Sequence, residues 1–265
     1  MARTVEGREL TLEHKADQAA LGLRTTARAL EAWSLLDLAN LDASMALWLP
    51  VHLSLVREEH ARSERMAAAY LSTYRAAEGV ESGAVVVPTF DTTQAAVAAR
   101  VAGPLTVKTL IGNGSDPEDA FAVARRAAAA RAQKWSMAGG RQLVIGSARA
   151  TRRRVWRRVS DGNPCAFCAM LVTRSLEMPN SQPPTFEAHG GCGCTVEEAF
   201  VDDPWTDAEA EFVQAYRQAA QQAKDAGEPV VAPSGRRRRD TVLWRMRRNR
   251  PDLFSDGVVN PRRVA

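Results

Sequence analysis

All four cysteines of this 265-residue chain fall inside one short stretch, Asp161 to Val196, DGNPCAFCAMLVTRSLEMPNSQPPTFEAHGGCGCTV. They are Cys165, Cys168, Cys192 and Cys194, and His189 lies among them. The order is C-x2-C, a spacer of twenty residues, then H-x2-C-x-C. Thiolate sulfur and imidazole nitrogen are the donors with which zinc builds a tetrahedron, and a pair two residues apart supplies two corners from one tight turn. Cys165 and Cys168 make that pair. His189, Cys192 and Cys194 are three candidates for the two remaining corners. A strand would put Cys192 and Cys194 on one face, whereas His189 and Cys192 have the spacing of a knuckle; both sets stay open. A disulfide framework needs an oxidising compartment, and the charged start MARTVEGREL lacks the apolar stretch of an export signal. Inert thiols would not gather this closely beside a lone histidine. The expectation is a metal site, with zinc as the cofactor.

The residues around it argue for a structural ion rather than a catalytic one. The PCxxC at Pro164 to Cys168 is half of a zinc deaminase signature, but the other half needs an upstream H-x-E or C-x-E. No histidine or cysteine occurs between residues 61 and 164. No H-E-x-x-H is present for a zincin protease. A site closed on four sides by protein ligands leaves no corner for water or substrate.

The rest of the chain reads as mainly α, with long N-terminal helices and a small C-terminal α+β module stapled by the zinc site. Leu- and Ala-rich sequence over residues 8–49 carries Trp33, Leu36, Leu41, Met45 and Trp48 near helical spacing. Pro50 is expected to interrupt it, and a second helix runs over 52–78 to Gly79. His52 and His60 on this second helix, eight residues apart, are expected to be packed or surface residues. GVESGAVVVPTFD (79–91) reads as a linker or edge strand. Helices follow at 92–101 and 106–111. IGNGS lacks the G-K-[ST] of a phosphate loop. Asp116-Pro117 starts an alanine-rich helix that Gly139-Gly140 is expected to end. Arg141 to Val159 reads as a further helix, whose arginines 149, 152, 153, 154, 157 and 158 form a solvated face or meet phosphate or an acidic partner. The divisions are 1–80 (N-terminal helical region), 81–140 (mixed, mostly helical), 141–203 (Cys/His module), 204–228 (polar helix) and 229–265 (linker and basic tail).

Charge is uneven. From Ser234 to the end there are ten arginines against three aspartates, while the whole chain carries only +4. In RRRRDTVLWRMRRNR, Arg236, Arg237, Arg238, Arg239, Arg245, Arg247, Arg248 and Arg250 surround Trp244 and Met246. Such a segment either contacts nucleic-acid phosphates or stays solvated. No apolar run is long enough for a membrane span. The chain is therefore expected in a cytosol.

The stretch WRRVSDGNPCAFCAMLVTRS, followed by a histidine and C-G-C, resembles the C-terminal motif of MuF-like minor capsid proteins, the head morphogenesis family of tailed bacteriophages, and most closely its actinobacteriophage branch. AWSLLDLANLDASMALW, AAAYLSTYRAAEG, GPLTVKTLIGNG and the alanine-rich helix before GGR extend the resemblance over roughly residues 10–200. Departures are Ser175 after Arg174, and the loop MPNSQPPTFEAH with its two consecutive prolines. The resemblance implies a structural protein of few copies, present in the host cytoplasm during assembly and then in the virion, at the portal vertex or capsid interior. It implies the portal protein, the major capsid or scaffold protein, and packaged DNA as partners. Two rival functions remain. One is a capsid maturation protease, for which no G-x-S-x-G is present. The other is a DNA-binding virion protein acting through the basic tail. Trp33, Trp48, Tyr70 and Tyr74 are read either as partner contacts or as intramolecular core.

Overall fold

The computed structural model describes residues 2–80, 83–151, 155–177, 186–199, 206–228 and 241–256. Three long helices form the body: α1 (Val5–Ala32), α2 (Leu41–Ala77) and α5 (Pro117–Arg149). Each start has a local cause. Thr4 caps α1 by accepting from the Gly7 amide, and Asp116 caps α5 by accepting from the amides of Glu118 and Asp119, with Pro117 in the first turn. Gly79, at φ +64°, closes α2 in a Schellman turn in which the Val80 amide donates to the Arg75 carbonyl.

Pro50 does not interrupt α2; it sits inside the helix. A proline in a helix interior costs about 3 kcal/mol. Around it Trp48, Leu49, Leu55 and Val56 are buried, and each such side chain gains roughly 1.5–3 kcal/mol on burial. Packing therefore outweighs the break. The chain turns earlier, through short 3-10 turns at Trp33–Leu35 and Leu38–Asn40, where the Asp37 carboxylate accepts from the Ala39 amide.

Gly139-Gly140 does not end α5 either. Helix α1 runs antiparallel to α2 and α5, and the three meet at a polar node. There Ser63 donates to the Gln18 side chain at 2.7 Å and accepts from the Gly140 amide at 2.9 Å. A Cβ on Gly139 would lie 2.4 Å from the His60 carbonyl oxygen. The glycines are there so that α2 and α5 can cross closely, and the buried Ala124, Ala128 and Ala132 continue that narrow face.

At one end of the bundle, α3 (Thr92–Ala102) and α4 (Pro104–Gly112) pack on α2 and α5 over a core containing Trp33, Trp48, Leu36, Ala99 and Val107. At the other end lies a two-stranded antiparallel ribbon, β1 (Val155–Val159) and β2 (Thr195–Ala199). The arginines at 157 and 158 are thus on a strand rather than on the expected helix; Arg152, Arg153 and Arg154 lie outside the described residues. Trp33, Trp48, Tyr70 and Tyr74 are all buried core, not exposed contacts.

The last three helices, α6 (Ala166–Glu177), α7 (Asp207–Asp225) and α8 (Thr241–Asn249), build a core of their own. Met170, Phe212, Ala219, Val242, Met246 and Phe254 meet in it. Thr206 and Glu209 form a capping box at the start of α7.

Alanine in place of a mid-helix glycine ordinarily stabilises by about 1 kcal/mol. Gly139→Ala is expected to do the reverse, costing roughly 1–3 kcal/mol because α2 must move away, and to lower the urea midpoint. A raised midpoint would show that the two helices are not held at this separation.

Candidate metal centre

The ribbon brings the two halves of the cysteine motif together. Val159 is paired with Thr195, so the chain leaving β1 and the chain entering β2 start side by side. After a turn in which the Asp161 carboxylate accepts from the Asn163 amide, Cys165 sits at the head of α6. Its carbonyl accepts from the Ala169 amide, and its thiol accepts from the Cys168 amide at 3.4 Å. A sulfur at a helix N-terminus is favoured as thiolate by the unpaired amides there. The far end of the chain fixes this turn: the Asp256 carboxylate accepts from the Ala166 amide at 2.8 Å, and the Ser255 amide donates to the Pro164 carbonyl. On the other half, Gly191 takes φ +78° and donates to the Ala130 carbonyl of α5. A Cβ on Gly193 would come within 2.6 Å of the Asp161 carboxylate, so a larger residue between Cys192 and Cys194 would have to displace that side chain.

The five donor atoms fall into two triads, Cys165–Cys168–His189 and Cys168–Cys192–Cys194, each with its atoms within 4.8 Å of one another. Cys168 belongs to both. Its Sγ is 3.3 Å from His189 Nε2 and 3.5 Å from Cys192 Sγ, and Cys165 Sγ is 3.1 Å from the same imidazole nitrogen. Nδ1 of His189 is engaged by the Gly190 carbonyl at 2.7 Å, which turns Nε2 toward the sulfurs. All four thiols are free, so the disulfide alternative is not what the structure forms. A tetrahedral ion with bonds of about 2.3 Å to sulfur needs sulfurs about 3.8 Å apart. The spacings here are of that size, and the donor set suits a thiophilic metal. Of the three candidates for the last corners, Cys192 and Cys194 group with Cys168, while His189 groups with Cys165 and Cys168.

Two arginines, unforeseen from the motif, enclose the cluster. Arg158 of β1 reaches Cys168 Sγ at 3.9 Å and Cys192 Sγ at 3.8 Å, and donates to the Glu187 carbonyl. Arg141 of α5 is fully enclosed and donates to the carbonyls of Cys192, at 2.6 Å, and Cys194, at 2.7 Å. Both guanidinium groups lie over the Phe186 ring, at 3.6 Å for Arg158 and 4.7 Å for Arg141. Titration follows these contacts. Hydrogen bonding from Cys168, then from His189, holds the Cys165 thiol down to about 4 against the effect of burial. Cys165 in turn raises the His189 ring to about 9. Cys192 is pushed down by hydrogen bonds from Cys168 and Cys194 and by the two arginine charges. Cys168 is pushed up, first by Cys165.

The other histidines lie elsewhere. His52 packs against Trp48 at 4.6 Å, and burial pulls its pKa down to about 4. His60 Nδ1 is 2.8 Å from the Trp135 carbonyl and its Nε2 is 3.2 Å from Glu64. Among the basic residues of the tail, Arg236, Arg237, Arg238 and Arg239 lie outside the described residues, as does loop 178–185. The remainder is on or just after α8, whose Val242, Leu243 and Met246 are buried. Arg245 pairs with Glu228, Arg247 with Asp256, and Arg250 with Glu211 and Asp252, while Arg248 lies 5.1 Å over the Trp244 ring.

Among the described residues no helix is long and apolar enough to cross a membrane. No curated protein and no solved structure matches the chain. A family profile does: the one described as VG15 protein matches residues 8–223, which takes in the helical bundle, the ribbon and the whole cysteine cluster. The chain belongs to the VG15 protein family and is a phage protein.

Proposed function

We propose that this chain is a minor capsid, head-morphogenesis protein that docks on the portal and the inner capsid shell and performs no covalent chemistry. The family match, which spans both the bundle and the cysteine module, supports the coarser part of the reading, a phage protein. The resemblance of the cysteine motif to MuF-like proteins supplies the finer role. The outer faces of α2, α3 and α4 support docking. They expose Leu47, Val51, Val97, Val101 and Leu105, the first at 68 %, with Leu47 and Val51 one turn apart on α2 and Val97 and Val101 one turn apart on α3, apolar surface that is available to a partner.

In the same proposal, Cys165 and Cys168 hold zinc together with two of His189, Cys192 and Cys194, and the ion when bound closes its corners with protein ligands and serves structure. In the loop that connects β1 to β2, α6 is the only regular element among the described residues. Metal binding energy is then folding energy for that loop.

Purified chain is expected to carry about one zinc per molecule. Because Cys168 is shared by both triads, Cys168→Ser is expected to lose more zinc than Cys165→Ser when metal content is measured by elemental analysis. Freshly reduced protein without metal would remove the zinc assignment.

Docking is tested by co-expressing the chain with portal, scaffold and major capsid proteins, followed by sizing and pull-down. Association is expected, and a Val97→Glu, Val101→Glu double variant is expected to weaken it at least tenfold with the helical circular dichroism unchanged. No association in any pairing would sink the docking role. Specific shortening of the capsid protein, read by mass spectrometry, would replace it with the protease.

A further inference from the structure

We infer that Arg158 is a positioning residue of the metal centre: its guanidinium donates to the ligand sulfurs, and together with Arg141 it neutralises the charge of the thiolate-bound ion. The inference rests on the reading that the cluster holds a metal, and extends it to two residues outside the cysteine motif.

Two cationic side chains are buried beside the cluster. Arg141 and Arg158 are 4 % and 1 % exposed. They share the Phe186 ring, so two like charges stand close together in a region sealed from water. A buried charge is tolerated when it is paired and hydrogen-bonded, and otherwise costs several kcal/mol. The hydrogen bonds of Arg141 go to the carbonyls of Cys192 and Cys194 and to the Met137 sulfur, and among the described residues none goes to a carboxylate. The sulfurs of Cys168 and Cys192 stand within reach of Arg158. A divalent ion held by three or four thiolates keeps one or two negative charges, the quantity that this pair of cations neutralises.

Geometry assigns the two arginines different tasks. Arg141 holds backbone: by gripping the carbonyls on either side of Gly193 it fixes the C-G-C turn against α5. Arg158 addresses sulfur, with one nitrogen 3.9 Å from Cys168 Sγ and 3.8 Å from Cys192 Sγ, one sulfur from each half of the motif. It reaches them from β1, beside the directly paired Arg157 and Glu197. Donors that orient metal ligands in this way typically contribute about 10–100-fold to metal affinity.

The test measures zinc affinity by competition with a chromophoric chelator, and the sulfur-to-cobalt charge-transfer band of the Co2+-loaded chain, in wild type, Arg158→Gln and Arg158→Lys. Arg158→Gln is expected to bind zinc about 10–100-fold more weakly, with the charge-transfer band moved to lower energy because the sulfur lone pairs lose a cationic donor. Arg158→Lys, which keeps the charge, is expected to recover most of both. A purely structural role would lower stability without moving the band. Unchanged affinity and band in a folded Arg158→Gln chain would overturn the inference while leaving the metal site intact, whereas a wild-type chain that takes up neither ion would overturn the metal reading itself. If Arg158→Gln does not fold, the wild-type chain labelled with 15N-arginine decides. The Arg158 guanidinium protons are expected to shift and to exchange slowly with solvent once Cd2+ is added, and protons indifferent to the metal would overturn the assignment.

Discussion

The ion pairing of the β1–β2 ribbon is the constraint on which the rest of this structure depends. Five consecutive residues of β2, Thr195 to Ala199, are buried, and two of them are glutamates. Glu197 faces Arg157 across the ribbon, and its carboxylate also accepts from Thr11 of α1 at 3.0 Å. Glu198 is held at both oxygens by Arg75 of α2, each contact at 2.8 Å. Buried charges are stable only with nearly complete hydrogen bonding, and removing one partner of such a pair costs about 3–5 kcal/mol. Here the partners come from three parts of the chain, so the ribbon assembles only where α1, α2 and β1 are all in place. Burial raises the Glu197 pKa against the pull of Arg157, which measures how far this pair has been taken from water.

That wiring explains how a helical bundle comes to hold a cysteine cluster. The strand that presents Arg157 to Glu197 presents Arg158 to the thiols, and the register that pairs Val159 with Thr195 sets the two cysteine pairs side by side. Helix α5 contributes Arg141 beneath the C-G-C turn and the Ala130 carbonyl beneath Gly191. The C-terminal segment returns to hold the head of α6 through Ser255 and Asp256. The cluster is therefore a meeting point of segments far apart in sequence. This is what a structural ion would require.

The parts legible in the sequence were those with local causes. The Asp116-Pro117 start of α5, the Gly79 end of α2 and the Thr206 start of α7 are capping signals read from a few neighbouring residues. The cysteine cluster was legible because its thiols and imidazole are chemically distinctive and closely spaced. The misreadings all come from partners distant in sequence. Pro50 and Gly139-Gly140 look like helix breaks until Trp48 and His60 are seen packed against other helices. Arg157 and Arg158 look like a solvated helical face until Glu197 and Phe186, some thirty to forty residues on, turn them inward. The packing role of 241–249 is hidden in the sequence because its arginines dominate the composition. Its three buried apolar residues, Val242, Leu243 and Met246, find their core only on α6 and α7.

The central claim is that a metal at the cysteine cluster orders the module while the bundle stands without it. Hydrogen–deuterium exchange of the full chain, with and without a zinc chelator, tests this most directly. Exchange should accelerate on metal removal in residues 160–177 and 186–199, with the amides of α1, α2 and α5 as protected as before. Exchange that stays the same in the module, or rises equally through the three long helices, would contradict it.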